Sequence, residues 1–168
     1  MTGDGPEDTL RRENGDRRES GEDALSPKNA LYVVATWVPR RLEISVGALG
    51  PVVFERGWYA YVGSARRGRD ARVARHFRRE KPLRWHADYL FTAAPPRLAG
   101  LVDGPLTECE LAGALAAPPG ASRPVRRFGA GDCRCTGHLV RLTTRPSSRT
   151  LREIGERGSV IDEFVVPA

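Results

Sequence analysis

Apolar positions in this chain come in short blocks, separated by charged or glycine-rich stretches. Ala30-Leu31-Tyr32-Val33-Val34-Ala35-Thr36-Trp37 is β-branched and aromatic and reads as a buried strand. Leu42-Glu43-Ile44-Ser45-Val46 alternates strictly and reads as a second strand. Pro39 and two arginines lie between them, which predicts a hairpin. Gly57 to Gly63 forms a third strand between glycines. Arg69 to Glu80 reads as a helix: Asp70 suits its positive end, Val73 and Phe77 give a core stripe, and Pro82 stops it. Trp85 to Thr92 fits either a helix or a strand, and Arg97 to Val102 a short strand. A clearer helix starts at Thr107. Thr107-Glu108-Cys109-Glu110 is a capping box, with Leu106 and Leu111 placed as a hydrophobic staple, and Pro118-Pro119-Gly120 follows its end near Ala116. His138 to Leu142 is a last strand, Arg149 to Arg157 a peripheral helix, and Phe164-Val165-Val166 an apolar tail. These elements predict an α+β fold, a small, mostly antiparallel sheet flanked by helices.

Residues 1–28 have only three clearly apolar positions after Met1: Leu10, Ala24 and Leu25. Such a segment cannot bury enough surface to offset the entropy of ordering, so it reads as a disordered acidic arm. The folded domain is expected over 29–142, with 143–168 as a C-terminal extension. The whole chain has 168 residues and is 40% hydrophobic, enough for one core. No apolar run is long enough to cross a membrane and the N-terminus lacks the apolar core of a signal peptide. Three cysteines make no disulfide framework, so a cytoplasmic setting is the default.

Charge sharpens the picture once it is divided. The chain carries 27 Lys plus Arg against 21 Asp plus Glu, a net of +6. Residues 1–28 hold eight acids and five bases, so residues 29–168 hold 13 acids and 22 bases, a net of +9. Arg56 to Arg84 alone holds ten bases and two acids. A GC-rich genome would explain why 25 of the 27 bases are Arg, but not this local excess. A concentrated positive field attracts polyphosphate, which points to nucleic acid.

The third strand runs into Gly63-Ser64-Ala65 and then into the basic helix, where Arg72 and His76 are four residues apart and share a face. Ala30-Leu31-Tyr32, Tyr61-Val62-Gly63, the pair Arg72 and His76, and Glu110 on a later helix together resemble the GIY-YIG nuclease superfamily. Tyr61-Val62-Gly63-Ser64-Ala65, Trp85-His86-Ala87-Asp88-Tyr89-Leu90 and Asp132-Cys133-Arg134-Cys135-x-x-His138 are similar to one little-characterised branch of small prokaryotic proteins, some of them fused to a base-excision glycosylase. The likeness spans Asn29 to Leu142. The first glycine of the name motif is replaced by Ala30, the two tyrosines are 29 residues apart, and the superfamily's late asparagine has no match.

That resemblance implies a divalent-metal-dependent endonuclease that hydrolyses phosphodiester bonds, with DNA as the expected partner and DNA repair as the setting. Tyr32 or Tyr61 would assist deprotonation of water. Arg72 would stabilise the charged transition state beside His76, and Glu110 would hold one Mg²⁺ or Mn²⁺. Arg66, Arg67, Arg75, Arg78 and Arg79 would hold flanking phosphates, with His86 positioning substrate. Two rivals stay open: a nucleic-acid-binding module of the same fold without turnover, and a zinc-stabilised domain that docks a protein. Cys109, Cys133, Cys135 and His138 supply four soft ligands for a structural Zn²⁺, although the Cys-x-Cys spacing suits free or redox-sensitive thiols equally well.

Overall fold

The computed structural model describes residues 29–147, 149–150 and 160–165. The expected acidic arm and most of the expected helix at 149–157 lie outside them. Among the described residues, seven strands and three full α-helices run in the order β1 (Asn29–Val38), β2 (Leu42–Ser45), β3 (Pro51–Phe54), β4 (Gly57–Ser64), α1 (Arg69–Phe77), α2 (His86–Ala93), β5 (Pro96–Gly104), α3 (Glu108–Leu115), β6 (Leu139–Leu142) and β7 (Val160–Val165). The α+β expectation holds. The main sheet is antiparallel in the order β6-β4-β1-β5-β7, and β2 and β3 form a separate two-stranded sheet.

The expected hairpin of β1 with β2 does not form. β2 turns through the short 3₁₀ segment Gly47–Leu49 and pairs with β3, a strand that the sequence pattern had not shown. The long β1 is therefore free to pair on both edges, with β4 and β5. Trp85 to Thr92 resolves as helix α2, starting at His86. Helix α1 stops at Phe77, three residues before the expected end. There Lys81 Nζ donates to the carbonyls of His76 (2.6 Å) and Arg75 (3.3 Å) and satisfies the last turn from outside the helix. β7 extends the sheet within the segment read as an extension beyond the domain.

The central strands are buried on both faces, and side chains two apart share a face. Tyr32, Val34 and Val38 join Tyr59 and Tyr61 on one side, packed with Val46, Val52 and Phe54 of the β2–β3 region and with Val73, Ala87, Leu90 and Phe91 of α1 and α2. Leu31, Val33 and Ala35 join Ala60 and Val62 on the other, under Leu111, Ala112 and Leu115 of α3. Double-sided burial explains why β1 reads as an unbroken apolar run. Register puts Tyr32 opposite Gly63, where a Cβ would overlap the Tyr32 phenol, so the strand needs glycine there.

Candidate functional site

The face covered by α1 and α2 gathers the polar groups. His76 faces inward from α1 and is fully buried, whereas the expected core residue Phe77 is half-buried. The imidazole sits among the rings of Tyr32, Tyr61, Trp85 and Phe91 at centroid distances of 5.4–5.8 Å. Its Nε2 lies 3.0 Å from Tyr32 Oη, while its Nδ1 is buried without a hydrogen-bond partner. Burial, aided by the nearby positive charge of Lys81, lowers the His76 pKa from 6.5 to about 4, so the ring is neutral at physiological pH. Burial pushes both Tyr32 and Tyr61 well above the usual phenol range, against the opposing pull of Arg72. Neither phenol ionises alone near neutral pH. Tyr32 can nevertheless donate to Nε2, and a proton leaving it has an acceptor in place.

Arg72 lies at the solvent edge of this cage. Its guanidinium stacks over Trp85 at 5.0 Å and donates to the Ser64 carbonyl at 3.2 Å. Ser64, Ala65, Arg66, Arg67 and Arg72 line an open groove of about 600 Å³. Arg66 and Arg67 are exposed there, as are Arg78 and Arg79 beyond the end of α1. Three cationic side chains around one opening can hold a phosphate diester without moving the fold.

Other expected site residues have structural work instead. Arg75 makes two hydrogen bonds, 2.8 and 3.2 Å, to the fully buried Asp88 carboxylate. Asp88 also accepts from the backbone N–H groups of Arg84 and Trp85. Burial alone would raise the Asp88 pKa, but Arg75 and those two amides outweigh it and hold the carboxyl below its usual range. Arg75 is thus tied inward and is not a free phosphate contact. His86 Nδ1 accepts from Gly129 N–H at 3.0 Å and ties α2 to the loop before β6. Arg69, which the sequence reading passed over, clamps α1 to β5 through the Asp103 carboxylate.

Glu110 is fully exposed, and its Oε2 accepts from Thr107 N–H (2.8 Å) and Thr107 Oγ1 (2.9 Å). It closes the capping box of its own helix, and those bonds hold its carboxyl below the usual range. Glu110 therefore does not fit the role of divalent-metal ligand, and Mg²⁺ or Mn²⁺ has no support in this arrangement. Of the two acids on α3 it is Glu108 whose charge, together with that of Asp88, reaches Tyr32 and Tyr61, and Glu108 also lies 3.3 Å from His138 Nδ1. The two acids differ only in helical phase: Glu110 is the third residue of the helix and turns back to its cap.

Cys109, Cys133, Cys135 and His138 converge. All four ligand atoms lie within 4.8 Å of one another, and the cluster could hold a metal ion. Burial and the two neighbouring thiols push the Cys109 pKa up to about 12 in the absence of an ion. The loop carrying the last three residues rests on the site, because Gly129 (φ +71°) lies so close to Tyr61 that a Cβ there would come within 2.7 Å of the ring.

The chain belongs to the DUF123 family. The family model described as Domain of unknown function DUF123 matches residues 31–158. No curated protein and no solved structure matches the chain. DUF123 is a distinct family, and the chain is not a GIY-YIG nuclease family member as the short motifs suggested. The motifs that suggested it, Ala30-Leu31-Tyr32 and Tyr61-Val62-Gly63, are short, and the DUF123 fold accounts for them on packing grounds. They are the paired ends of two adjacent antiparallel strands, where a tyrosine needs a glycine opposite. Among the described DUF123 residues no helix is long and apolar enough to cross a membrane.

Proposed function

We propose that this domain binds nucleic acid through the groove at Arg66, Arg67 and Arg72 and hydrolyses a phosphodiester held there, with DNA as the expected substrate. The observation that supports this most is the meeting of Arg72 with the Tyr32–His76 hydrogen bond at one edge of the aromatic cage. A diester in the groove meets Arg72 where negative charge grows in the transition state. The attacking water gives its proton to Tyr32 Oη as Tyr32 passes its own to neutral Nε2 of His76. The water oxygen bonds to phosphorus, the P–O bond to the leaving sugar breaks, the released alkoxide takes a proton from solvent, and His76 then gives its proton back to solvent through Tyr32, which restores both groups. Trp85 holds Arg72 in place and Asp88 holds Arg75 against the same ring. In this reading the Cys/His cluster supports the site and takes no part in the reaction.

The test is a cleavage assay on labelled single-stranded, duplex and branched DNA, with and without added divalent ions. Wild-type protein should cut at least one of these substrates. Arg72→Ala should lower the rate by about 100- to 1,000-fold, the usual cost of losing one charge-stabilising group. Tyr32→Phe should be similarly impaired while still binding DNA. Binding that weakens steeply with salt, combined with no cleavage under any condition, would reduce the reading to the non-catalytic module.

A further inference from the structure

The four soft donors come from three separate places. Cys109 sits in the first turn of α3, Cys133 and Cys135 on the loop before β6, and His138 where β6 begins. Three of their mutual distances are short: Cys133 Sγ to Cys135 Sγ 3.3 Å, Cys133 Sγ to His138 Nε2 3.4 Å, and Cys109 Sγ to His138 Nε2 3.5 Å. A tetrahedral zinc ion with Zn–S near 2.3 Å and Zn–N near 2.0 Å sets its ligand atoms about 3.5–3.8 Å apart. The cluster has that size. As thiols the three S–H groups would be weak donors sharing one good acceptor, His138 Nε2, which cannot satisfy all three.

The surroundings are those of a ligand set held in advance. Arg127 adopts a left-handed backbone (φ +64°), its N–H donates to the Thr136 carbonyl at 2.6 Å, and its guanidinium donates to the carbonyls of Cys133 and Gly131. Its positive charge lies beside what would be three thiolates around a doubly charged ion. The His138 backbone is fixed on both sides, by its N–H to the Phe128 carbonyl and by its carbonyl to Val62 N–H. Its Nδ1 lies 3.3 Å from Glu108 Oε2, close but out of line for a hydrogen bond, and a small turn of that carboxylate would complete one. Metal-ligating histidines commonly give their second N–H to a carboxylate, which fixes the tautomer.

We propose that Cys109, Cys133, Cys135 and His138 Nε2 bind one structural Zn²⁺, with Glu108 as the outer acceptor of His138 Nδ1–H. Three sulfurs and one imidazole suit zinc over hard cations, and four protein ligands leave no open position for substrate. The ion joins α3, which covers the aliphatic face of the sheet, to the loop that rests on Tyr61 of the aromatic face. This site does not depend on the phosphodiester reading.

The experiment is elemental analysis of the full chain purified without chelator, followed by cobalt replacement. One zinc per chain is expected. The cobalt form should show the intense visible bands and the sulfur-to-cobalt charge transfer of a tetrahedral thiolate site, with three thiols that react only after the metal is stripped. Cys135→Ser should lose the stoichiometric ion. Glu108→Gln keeps all four ligands and should weaken zinc by about 10- to 100-fold in competition with a chelator. A wild-type protein that carries no zinc, takes up no cobalt and has three reactive thiols would overturn the proposal. So would a Cys133–Cys135 disulfide in the native protein, and stoichiometric iron would overturn the identity of the metal. Unchanged zinc affinity in Glu108→Gln would remove Glu108 from the site.

Discussion

The two faces of the central sheet are made by the same strands and differ in almost everything else. Under α3 the alternate residues Leu31, Val33, Ala35, Ala60 and Val62 meet Leu111 and Leu115, a hydrocarbon layer with nothing to titrate. Under α1 and α2 the other residues of those strands, Tyr32 and Tyr61, meet His76, Phe91 and Phe128. A shift of one residue along β1 or β4 exchanges one environment for the other. Stability can come from either face, but proton transfer and charge stabilisation require the face that holds phenol, imidazole and guanidinium together.

That contrast can be broken by substitution. The largest expected effect is at the aromatic face's only fully buried carboxylate among the described residues. Arg75→Ala takes two charge-assisted hydrogen bonds from the fully buried Asp88, which keeps the Arg84 and Trp85 amides and Lys81 Nζ at 3.9 Å, and should cost up to about 3–5 kcal/mol in urea unfolding. On the aliphatic face Leu111→Ala should cost about 2–5 kcal/mol by leaving a cavity, by the same amount at pH 7 and pH 5.

The pH dependence sharpens the difference. The His76 pKa is depressed on folding, so the unfolded chain binds the extra proton between about pH 6.5 and 4. The stabilising effect of a neutral His76 is complete above pH 6.5 and is lost as pH falls through that window, about 3 kcal/mol in all. His76→Phe should remove this loss, whereas Leu111→Ala should retain it. The smallest effect lies away from both faces: Thr107→Ala should cost about 1 kcal/mol through the lost helix cap, read as a small drop in Tm.

Local chemistry made the fold partly legible. The capping box at Thr107, the glycine-bounded β4 and the apolar β1 were visible because each depends on residues close in sequence. The β1–β2 hairpin was misread because turn residues show that a chain reverses, not which strand it then joins; β3, four residues long, carries too little pattern to compete. Tyr32, Tyr61, Arg72 and His76, grouped together from the sequence, lie close to one another in the fold. Arg75 was misread because its partner Asp88 lies on the next helix, and an arginine engaged in a core looks the same in sequence as one facing phosphate. Glu110 was chosen over Glu108 through the likeness to another family, although its place in the capping box already gave it another task. The Cys/His cluster was legible as four soft ligands but not as a choice between zinc and free thiols, because Cys109 is 24 positions away from Cys133 and only the fold closes that gap.

The arginine groove beside the Tyr32–His76 pair should take a nucleic-acid phosphate. The direct measurement is the salt dependence of binding to a labelled oligonucleotide for wild type, Arg72→Ala, and a variant lacking Arg66, Arg67 and Arg72. Affinity should fall linearly with salt on logarithmic axes, the slope should lose about one unit in Arg72→Ala, and it should lose about three in the triple variant. No binding by wild type, or equal slopes in all three proteins, would mean that the groove does not take a nucleic-acid phosphate.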